Sequence, residues 1–156
     1  MTALTLDLLK NWIRVRHTEE DVILGAMLGA AVKHIEGQTG HLFTRRTATQ
    51  RLFDSGRLLF GPNPGPVTIT WTDGEGDHSE PATIIAGEVS GPWAASAVAS
   101  YEAGYETADD VPEDLLVAAL LLAGNWDANR EATTQANVAL SFGVEALIGN
   151  YRPVLV

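Results

Sequence analysis

Apolar residues recur at helical spacing close to the start of the chain, over a short stretch. Leu6, Leu9 and Ile13 fall on one face of a helix, and Thr5 stands before them in the position of an N-cap. A threonine hydroxyl at that position accepts a hydrogen bond from a backbone N–H of the first turn. The pattern therefore predicts a short amphipathic helix that begins after Thr5.

A second, longer helical pattern runs from "HTEEDV" to "GQTGHLF". Thr18 followed by Asp21 resembles a capping box, and Gly40 suits the left-handed conformation that ends a helix. Gly25 and Gly29 leave one face shallow, which predicts ordinary tight packing against another helix of the chain. The apolar positions that recur at three- and four-residue steps are Val22, Ile23, Ala26, Met27, Ala30, Ala31 and Ile35.

Residues 43–104 change character to short runs that are rich in β-branched and aromatic residues. The runs are "TATQRLF", "RLLF", "VTITWT", "ATIIAGEV" and "SAVASYEAG". Between them lie "DSG", "GPNPGP", "TDGEGD" and "SGPW", whose glycine, proline and aspartate residues favour chain reversal. This alternation predicts a small antiparallel sheet inserted between helices.

The most apolar stretch, "VPEDLLVAALLLAGNWDANREA" at residues 111–132, predicts a third helix. Pro112 fits the first helical position, and the acidic residues around it complement the positive end of the helix dipole. Nine apolar residues run from Leu115 to Ala123, whereas a membrane span needs about 20, so we reject a membrane segment. We expect this helix to be buried on most sides, in the core or against neighbouring subunits. The expected stripe is Leu115, Ala118, Ala119, Leu122 and Trp126.

The remaining residues predict a polar loop, one helical turn from about Val144 to Ile148, and an extended apolar end after Pro153. The fold class is therefore α+β: a small helical bundle of three main helices plus a short C-terminal helical turn, with an inserted small antiparallel β-sheet. We expect one domain over residues 1–156. Its parts are helices at 1–42, the inserted β region at 43–104, the central helix at 105–131, and a loop with a C-terminal tail at 132–156.

Charge is distributed unevenly along the chain, whose formal net charge is −10. Residues 72–114 contain eleven acids and no lysine or arginine. A chain of this kind repels a phosphate backbone unless a basic cluster is presented alone. There is no cysteine, which excludes disulfides and thiolate metal sites. The N-terminal residues lack the pattern of a secretory signal, so we expect synthesis in the cytoplasm. The basic cluster consists of Arg45, Arg46, Arg51 and Arg57, against Asp54.

No set of residues has the spacing of a catalytic or metal site. No two of the histidines are four residues apart on a helix, as a zinc hydrolase requires. "DGEGDHSE" lacks the sixth-position glycine and twelfth-position glutamate of a calcium loop, so we interpret it as a tight acidic turn. Ser141 is outside any nucleophile-elbow motif. We expect no enzymatic activity, no cofactor and no bound metal. The histidines are His17, His34, His41 and His78.

Three stretches, in this order, resemble the head–tail connector proteins of long-tailed bacteriophages. They are "LTLDLLKNWIRVRHTEEDVILGAMLGAAVKHIEGQTGHLF", "YEAGYETADDVPEDLLVAALLLAGNWDANREA" and "FGVEALIGNYRPVLV", which together cover about 87 of the 156 residues. The shared features are a short helix, a long alanine-rich helix, and a Val-Pro before a leucine/alanine helix with an Asn-Arg-Glu close. A Tyr-Arg pair comes near the end. Gln38 departs from the pattern, because many relatives carry an aromatic residue there.

The resemblance implies a structural role in a virion. Proteins of this family, which also occur in gene transfer agents, form a ring beneath the portal protein, typically of twelve subunits. The ring extends the DNA channel and provides the surface to which the tail or a stopper protein attaches. For this chain we therefore expect a location at the head–tail interface, a portal partner, a stopper or tail-side partner, and DNA that passes through the lumen without specific binding. The resemblance implies neither a membrane nor a cofactor.

Within such a ring we expect two kinds of contact. The exposed apolar end of the tail is expected to bind the portal, although it is almost as well suited to dock on its own subunit. Trp126, Asn129 and Arg130 share the end of the third helix, either as a subunit interface or as a cap of that helix. The basic cluster and the acidic region could form a complementary pair between subunits, or face each other inside one sheet. The tail residues are Tyr151, Arg152, Pro153, Val154, Leu155 and Val156.

Two other functions remain open at this point. Another virion ring protein, such as a stopper or a tail terminator, would share the acidic ring but bind the tail instead of the portal. A small hydrolase with a constellation that the sequence does not reveal is the other alternative.

Overall fold

The computed structural model describes residues 4–52, 56–62, 64–85, 87–89, 91, 97–129 and 143–152. The chain forms two compact units. The helical unit comprises Met1–Phe43 and Thr107–Val156, and the sheet unit comprises Thr44–Glu106. The predicted fold class is confirmed, because helices and a small antiparallel sheet make up an α+β protein. In the described part of the chain, no helix is both long and apolar enough to cross a membrane.

The helical unit contains α1 (Leu6–Ile13), α2 (Asp21–Thr39) and α3 (Glu113–Ala128). A 3-10 turn at Ala108–Asp110 precedes α3. Near the end of the chain, α4 spans residues 143–148 and continues into a 3-10 turn at Gly149–Tyr151. The predicted C-terminal helical turn is therefore present. The three main helices pack against one another in pairs.

Two of the predicted helix ends are confirmed. The Thr5 hydroxyl accepts a hydrogen bond from the Leu8 N–H at 3.2 Å and caps α1. Gly40 ends α2 in the left-handed region, with a φ of 73°, and its N–H donates to the Glu36 carbonyl at 2.8 Å. Both signals are local, so they act whatever the rest of the chain does.

The predicted capping box at Thr18 and Asp21 is wrong. Glu20 is the N-cap of α2 and makes no side-chain capping bond, while the Asp21 carboxylate accepts a hydrogen bond from Lys10 Nζ at 2.6 Å. An ion pair with a buried lysine outweighs a cap that water can replace. A capping box is instead present at Thr107 and Asp110, ahead of α3.

The predicted apolar face of α2 is also wrong in large part. The side that faces the core carries Leu24, Leu28, Ala31 and Ile35, since larger side chains remove more apolar area from water than alanine does. The other positions of the predicted face, apart from the half-buried Met27, are exposed. A Cβ added at Gly25 or Gly29 would meet nothing within 4 Å, so the expected tight packing at these glycines is not found. The exposed positions are Val22, Ile23, Ala26 and Ala30.

Close helix packing occurs instead at Gly124 of α3. A Cβ added there would lie 3.3 Å from Ile13 Cγ2 and 3.5 Å from Trp12 Cδ1, so the glycine lets α1 approach α3. The buried side of α3 matches the prediction at Leu115, Ala118 and Ala119, and Leu120 and Ala123 are buried as well. Leu122 and Trp126, which we expected to be buried, are only half-buried.

The sheet unit contains six strands, β1 (Arg46–Leu52), β2 (Val67–Thr72), β3 (Asp77–Ala82), β4 (Ile84–Ile85), β5 (Glu88–Val89) and β6 (Ala97–Ala103). They form a four-stranded antiparallel sheet in the order β1–β6–β2–β3 and a separate two-stranded ribbon, β4–β5. In the main sheet Ala48 pairs with Tyr101, Ile69 with Ala99, and Trp71 with His78.

The sequence prediction missed β3 and merged two other strands. β3, "DHSEPA", is polar and contains Pro81, which an edge strand tolerates because only one of its sides is paired. The predicted strand "ATIIAGEV" divides into the end of β3 and the short strands β4 and β5. "RLLF" is not a strand, although Arg57 makes an isolated bridge to Glu88.

One face of the main sheet is buried and includes a polar residue, Gln50. Its Oε1 accepts hydrogen bonds from the Tyr101 hydroxyl and from the Leu59 N–H, both at 2.8 Å. Its Nε2 donates to the Arg57 carbonyl at 2.6 Å, and the Tyr101 oxygen accepts from the Phe60 N–H at 3.1 Å. Burial raises the pKa of the Tyr101 hydroxyl. This network fixes residues 57–60 to β1 and β6.

Replacing Gln50 with leucine is expected to destabilise the sheet unit by about 2–3 kcal/mol, because a hydroxyl, an N–H and a carbonyl lose their buried partner together. Urea unfolding of the purified protein measures the change. The matched control is Thr49→Val, which lies on the exposed face of the same strand and is expected to stay within about 0.5 kcal/mol of the parent. Equal stability of the two variants would contradict the structural role of the network.

Replacing Gly104 with alanine is expected to cost about 3 kcal/mol. Its φ is 119°, and an added Cβ would lie 2.6 Å from the Thr44 carbonyl oxygen, so both conformation and space exclude a side chain. Gly74→Ala is the control, because an added Cβ there meets nothing. Thermal unfolding compares the two variants, and a stable Gly104→Ala protein would show that β1 and β6 do not end as described.

Candidate assembly surfaces

The histidine and acidic side chains of the described residues are the first candidates for a metal site. Among them, no cluster of three or more histidine and acidic side chains is arranged to hold a metal ion. The predicted acidic turn is present between β2 and β3. Asp73 Oδ1 accepts hydrogen bonds from the Glu75 N–H at 2.8 Å and from the Gly76 N–H at 3.2 Å. The Glu75 N–H and a 3.0 Å contact with His78 lower the pKa of Asp73.

A groove of about 480 Å³ opens at one end of the main sheet. Arg51, Thr70 and Val98 contribute to its lining, as does the ring of Trp71, which stacks on His78 with a centroid distance of 4.9 Å. Asp77, His78 and Ser79 also line the groove. It therefore offers a polar surface, and we assign it no chemistry.

The basic cluster predicted from the sequence is not one patch. Arg45 pairs with Glu106, with 2.6 Å between Nη1 and Oε1, inside the sheet unit. Arg46 is exposed and takes part in an interaction of its own. Arg51 lies five residues further along β1, which places its Cα roughly 17 Å from that of Arg46 at the usual rise of a strand. Because side chains alternate along a strand, Arg46 and Arg51 leave it on opposite faces.

The sequence analysis left two uses open for this cluster, a contact between subunits or a contact within one sheet, and its members differ in which use they fit. The Arg45–Glu106 pair corresponds to the alternative in which basic and acidic regions meet within one unit. Arg51 is exposed on the hydroxyl-rich face of the sheet, next to the groove. The Arg57 carbonyl is used by Gln50, and the Arg57 backbone bridges to Glu88. The assignment of all four arginines to a subunit interface stays a prediction.

At the end of α3, the asparagine predicted to join an interface caps its own helix. The Asn129 N–H donates to the Asn125 carbonyl at 2.9 Å, and Asn129 Nδ2 donates to the same oxygen at 3.2 Å. Trp126 is half-buried. Arg130 lies outside the described residues, so the structure gives positions for Trp126 and Asn129 only.

The start of the predicted tail docks on the helical unit. The Tyr151 ring meets the His41 ring edge-on, with a centroid distance of 5.3 Å, and the Tyr151 hydroxyl reaches Asp114 Oδ2 at 3.4 Å. Burial lowers the pKa of His41, while desolvation and then the Asp114 carboxylate raise the pKa of Tyr151. At this base of the tail, therefore, a neutral imidazole packs against a protonated phenol at neutral pH.

Arg152 completes this docking. It donates to Gln38 Oε1 at 3.2 Å and pairs with the Glu145 carboxylate at 2.7 Å. Gln38, the residue that departs from the family pattern, is thus a partner of the tail. Pro153, Val154, Leu155 and Val156 lie outside the described residues, and their predicted contact with a portal stays a prediction.

The exposed side of α2 is a surface that the sequence analysis did not identify. Val22 is 87% exposed and Ile23 is 49% exposed. Gly29 and Ala30 continue this side along the helix, and an added Cβ at Gly29 meets nothing. We call this surface the open face of α2. Its full membership is Val22, Ile23, Ala26, Gly29, Ala30, Lys33 and His34.

Sequence comparison and structure comparison give different results for this chain. No family model and no curated protein sequence matches it. Solved structures do match over nearly the whole chain. One is a chain of "Virion of native gene transfer agent (GTA) particle", with a TM-score of 0.75 and 24% identity, covering 99% of this chain and 91% of that chain.

Two further matches come from particle necks. A chain of "Neck of empty GTA particle computed with C6 symmetry" gives a TM-score of 0.73 at 22% identity, covering 99% of this chain and 91% of that one. A chain of "Neck of native GTA particle computed with C12 symmetry" gives 0.67 at 24% identity, covering 100% and 94%. The protein therefore has the fold of a chain that occurs in the necks of gene transfer agent particles.

Proposed function

We propose that this protein is a head–tail adaptor, a subunit of the ring that lies beneath the portal of a phage-like particle. The observation that carries the proposal is the full-length fold match to chains of particle necks. The match covers both the helical unit and the sheet unit, so it is not limited to a common helical motif. Two of those necks were computed with six-fold and twelve-fold symmetry, which supports a ring of identical subunits.

The surface chemistry is consistent with a closed ring. Such a ring needs a heterologous interface, in which each subunit presents two different patches. The open face of α2 is apolar, whereas the sheet unit exposes acidic side chains such as Glu75, Glu80 and Glu88. One subunit therefore carries two unlike surfaces, as a head-to-tail arrangement requires.

Charge supports a channel through which DNA slides. The chain has a net charge of −10, and one of its arginines, Arg45, is paired with a glutamate. Binding to a phosphate backbone depends on lysine and arginine side chains that are free to neutralise phosphates. A ring of such subunits would repel DNA from its walls, so the DNA could pass without being held.

The proposed partner at the head side is the portal protein, through the C-terminal tail. Tyr151 and Arg152 fix the start of the tail beside the end of α2. The chain beyond Arg152 is short and apolar, and an apolar segment of this kind suits a groove on a partner. The opposite side of the ring would bind a stopper or a tail-side protein. We propose no catalytic activity.

Deleting the gene for this protein in a producing strain is expected to give DNA-filled or emptied heads without tails, because the tail lacks its attachment surface. Electron microscopy counts tailed and tailless particles, and quantitative mass spectrometry of parental particles is expected to find the protein in equal number to the portal. A normal yield of tailed particles would refute the proposal. Separate tails that carry the protein would instead identify a tail terminator.

Deleting Arg152–Val156 is expected to weaken binding to the portal protein of the same genome at least tenfold, because an apolar anchor is lost. Co-purification of the two recombinant proteins measures this. The control is Glu145→Gln, which removes one exposed ion pair of Arg152 and is expected to change the affinity less than fivefold. If the truncated protein, still folded by circular dichroism, binds the portal unchanged, the assignment of the tail is wrong.

A further inference from the structure

The open face of α2 is more apolar than is usual for a helix side that is exposed to water. Nine positions of α2 are exposed, and Lys33 is the only one of them with a formal charge at neutral pH. A helix on the surface of a monomer usually carries charged residues opposite its buried stripe. Here the exposed side continues the apolar character of the buried side. The exposed positions are Val22, Ile23, Ala26, Gly29, Ala30, Lys33, His34, Gly37 and Gln38.

The residues of this face form one continuous surface. An α-helix turns by about 100° per residue, so Val22, Ala26 and Lys33 lie almost in line, with Ala30 and Ile23 beside them. Scattered exposed apolar residues are normal in any protein, but a contiguous patch indicates a partner. Because alanine and glycine keep the surface low, a partner can approach the helix backbone closely.

The dimensions suit the centre of a subunit interface. Val22 to His34 spans 13 residues, or about 20 Å of helix. A strip of that length and about 10 Å wide is roughly a quarter of the 800 Å² that each partner contributes to a stable interface. Interfaces have an apolar centre and a polar rim. The open face provides such a centre, with Lys33 and His34 towards one end.

We propose that the open face of α2 packs against a neighbouring copy of this chain in the ring, on the acidic surface of that copy's sheet unit. This inference rests on the proposed function, because it needs a ring in which copies touch. Necks of this fold that were computed with C6 and C12 symmetry support the choice of a second copy as the partner.

Charge complementarity directs the choice of surface on the neighbour. The open face contains Lys33 and no acid. On the sheet unit Glu75, Glu80 and Glu88 are exposed, whereas Glu106 is already paired with Arg45. Ile85 pairs with Glu88 in the β4–β5 ribbon and is 70% exposed, so the surface around Glu88 also has an apolar residue to cover. Contact between two copies of the open face would instead bring two lysines together.

The first experiment introduces a bulky charge into the open face. Ala26→Arg is expected to leave the stability of the isolated subunit unchanged, since Ala26 is exposed in it. In the deletion strain complemented with this variant, the amount of the protein per particle is expected to fall at least tenfold. Asn11→Arg, an exposed position of α1 outside this face, is the matched control and is expected to assemble normally. Normal incorporation of both variants would overturn the inference.

The second experiment uses the absence of cysteine from the chain. Ala26→Cys, labelled with a maleimide–benzophenone cross-linker, is photolysed in the assembled portal–adaptor complex, and mass spectrometry identifies the attached peptide. A cross-link to residues 44–106 of another copy is the expected result. A cross-link to the portal, or none to a second copy, would overturn the inference even if Ala26→Arg fails to fold.

These outcomes separate the inference from the proposed function. If the parental protein is absent from the neck, the adaptor proposal itself fails, and the inference fails with it. If the parental protein is present in the neck as a ring and Ala26→Arg is incorporated as well as Asn11→Arg, only the inference fails.

Lys33→Glu adds a graded test. It is expected to reduce incorporation less than Ala26→Arg, because an ion pair at the rim of an interface contributes less than the apolar centre of that interface.

Discussion

The ion pair between Lys10 and Asp21 fixes the start of α2 to α1 and reinforces the burial of one side of α2. The two groups are 2.6 Å apart, with 11% of the Lys10 side chain and 33% of the Asp21 side chain exposed. Removing one partner of a fully buried pair costs about 3–5 kcal/mol, because the remaining charge is left uncompensated, and the partial exposure of Asp21 makes the cost smaller here. Rotation of α2 about its axis would carry Asp21 away from Lys10. The pair therefore helps to hold Leu24 and Leu28 in the core, with Val22 and Ile23 outside.

This orientation explains why the sequence predicted the end of α2 correctly but not its buried face. Its end at Gly40 was predicted correctly, because a left-handed glycine ends a helix through contacts within four residues. The buried face was predicted wrongly, because α2 is apolar on nearly all sides and periodicity cannot choose between them. The burial of the larger side chains and a contact with α1, eleven residues earlier in the chain, make the choice together. Such a contact has no signature in the pattern of α2 itself.

The sheet unit shows the same division between local and distant causes. β1, β2 and β6 have the composition of half-buried strands and were predicted from it. β3 has polar residues and a proline, and it is a strand because β2 offers it a partner. Gln50 is a polar residue that the strand pattern does not mark as buried. Its place in the core depends on Tyr101 and on the backbone of residues 57–60, none of which is adjacent to it in the chain.

Among the candidate surfaces, the basic cluster shows that neighbours in the sequence need not form a patch in space. Strand geometry separates Arg46 from Arg51, and Glu106 neutralises Arg45. The chain has 20 acidic residues against 10 lysines and arginines, so its net negative charge would make copies in a ring repel one another. Screening limits this repulsion to about 8–10 Å at ordinary salt concentrations, and within that range an attractive contact must exceed it. In the proposed ring, the open face of α2 would provide an attraction of that kind, because it is largely apolar and carries no acid.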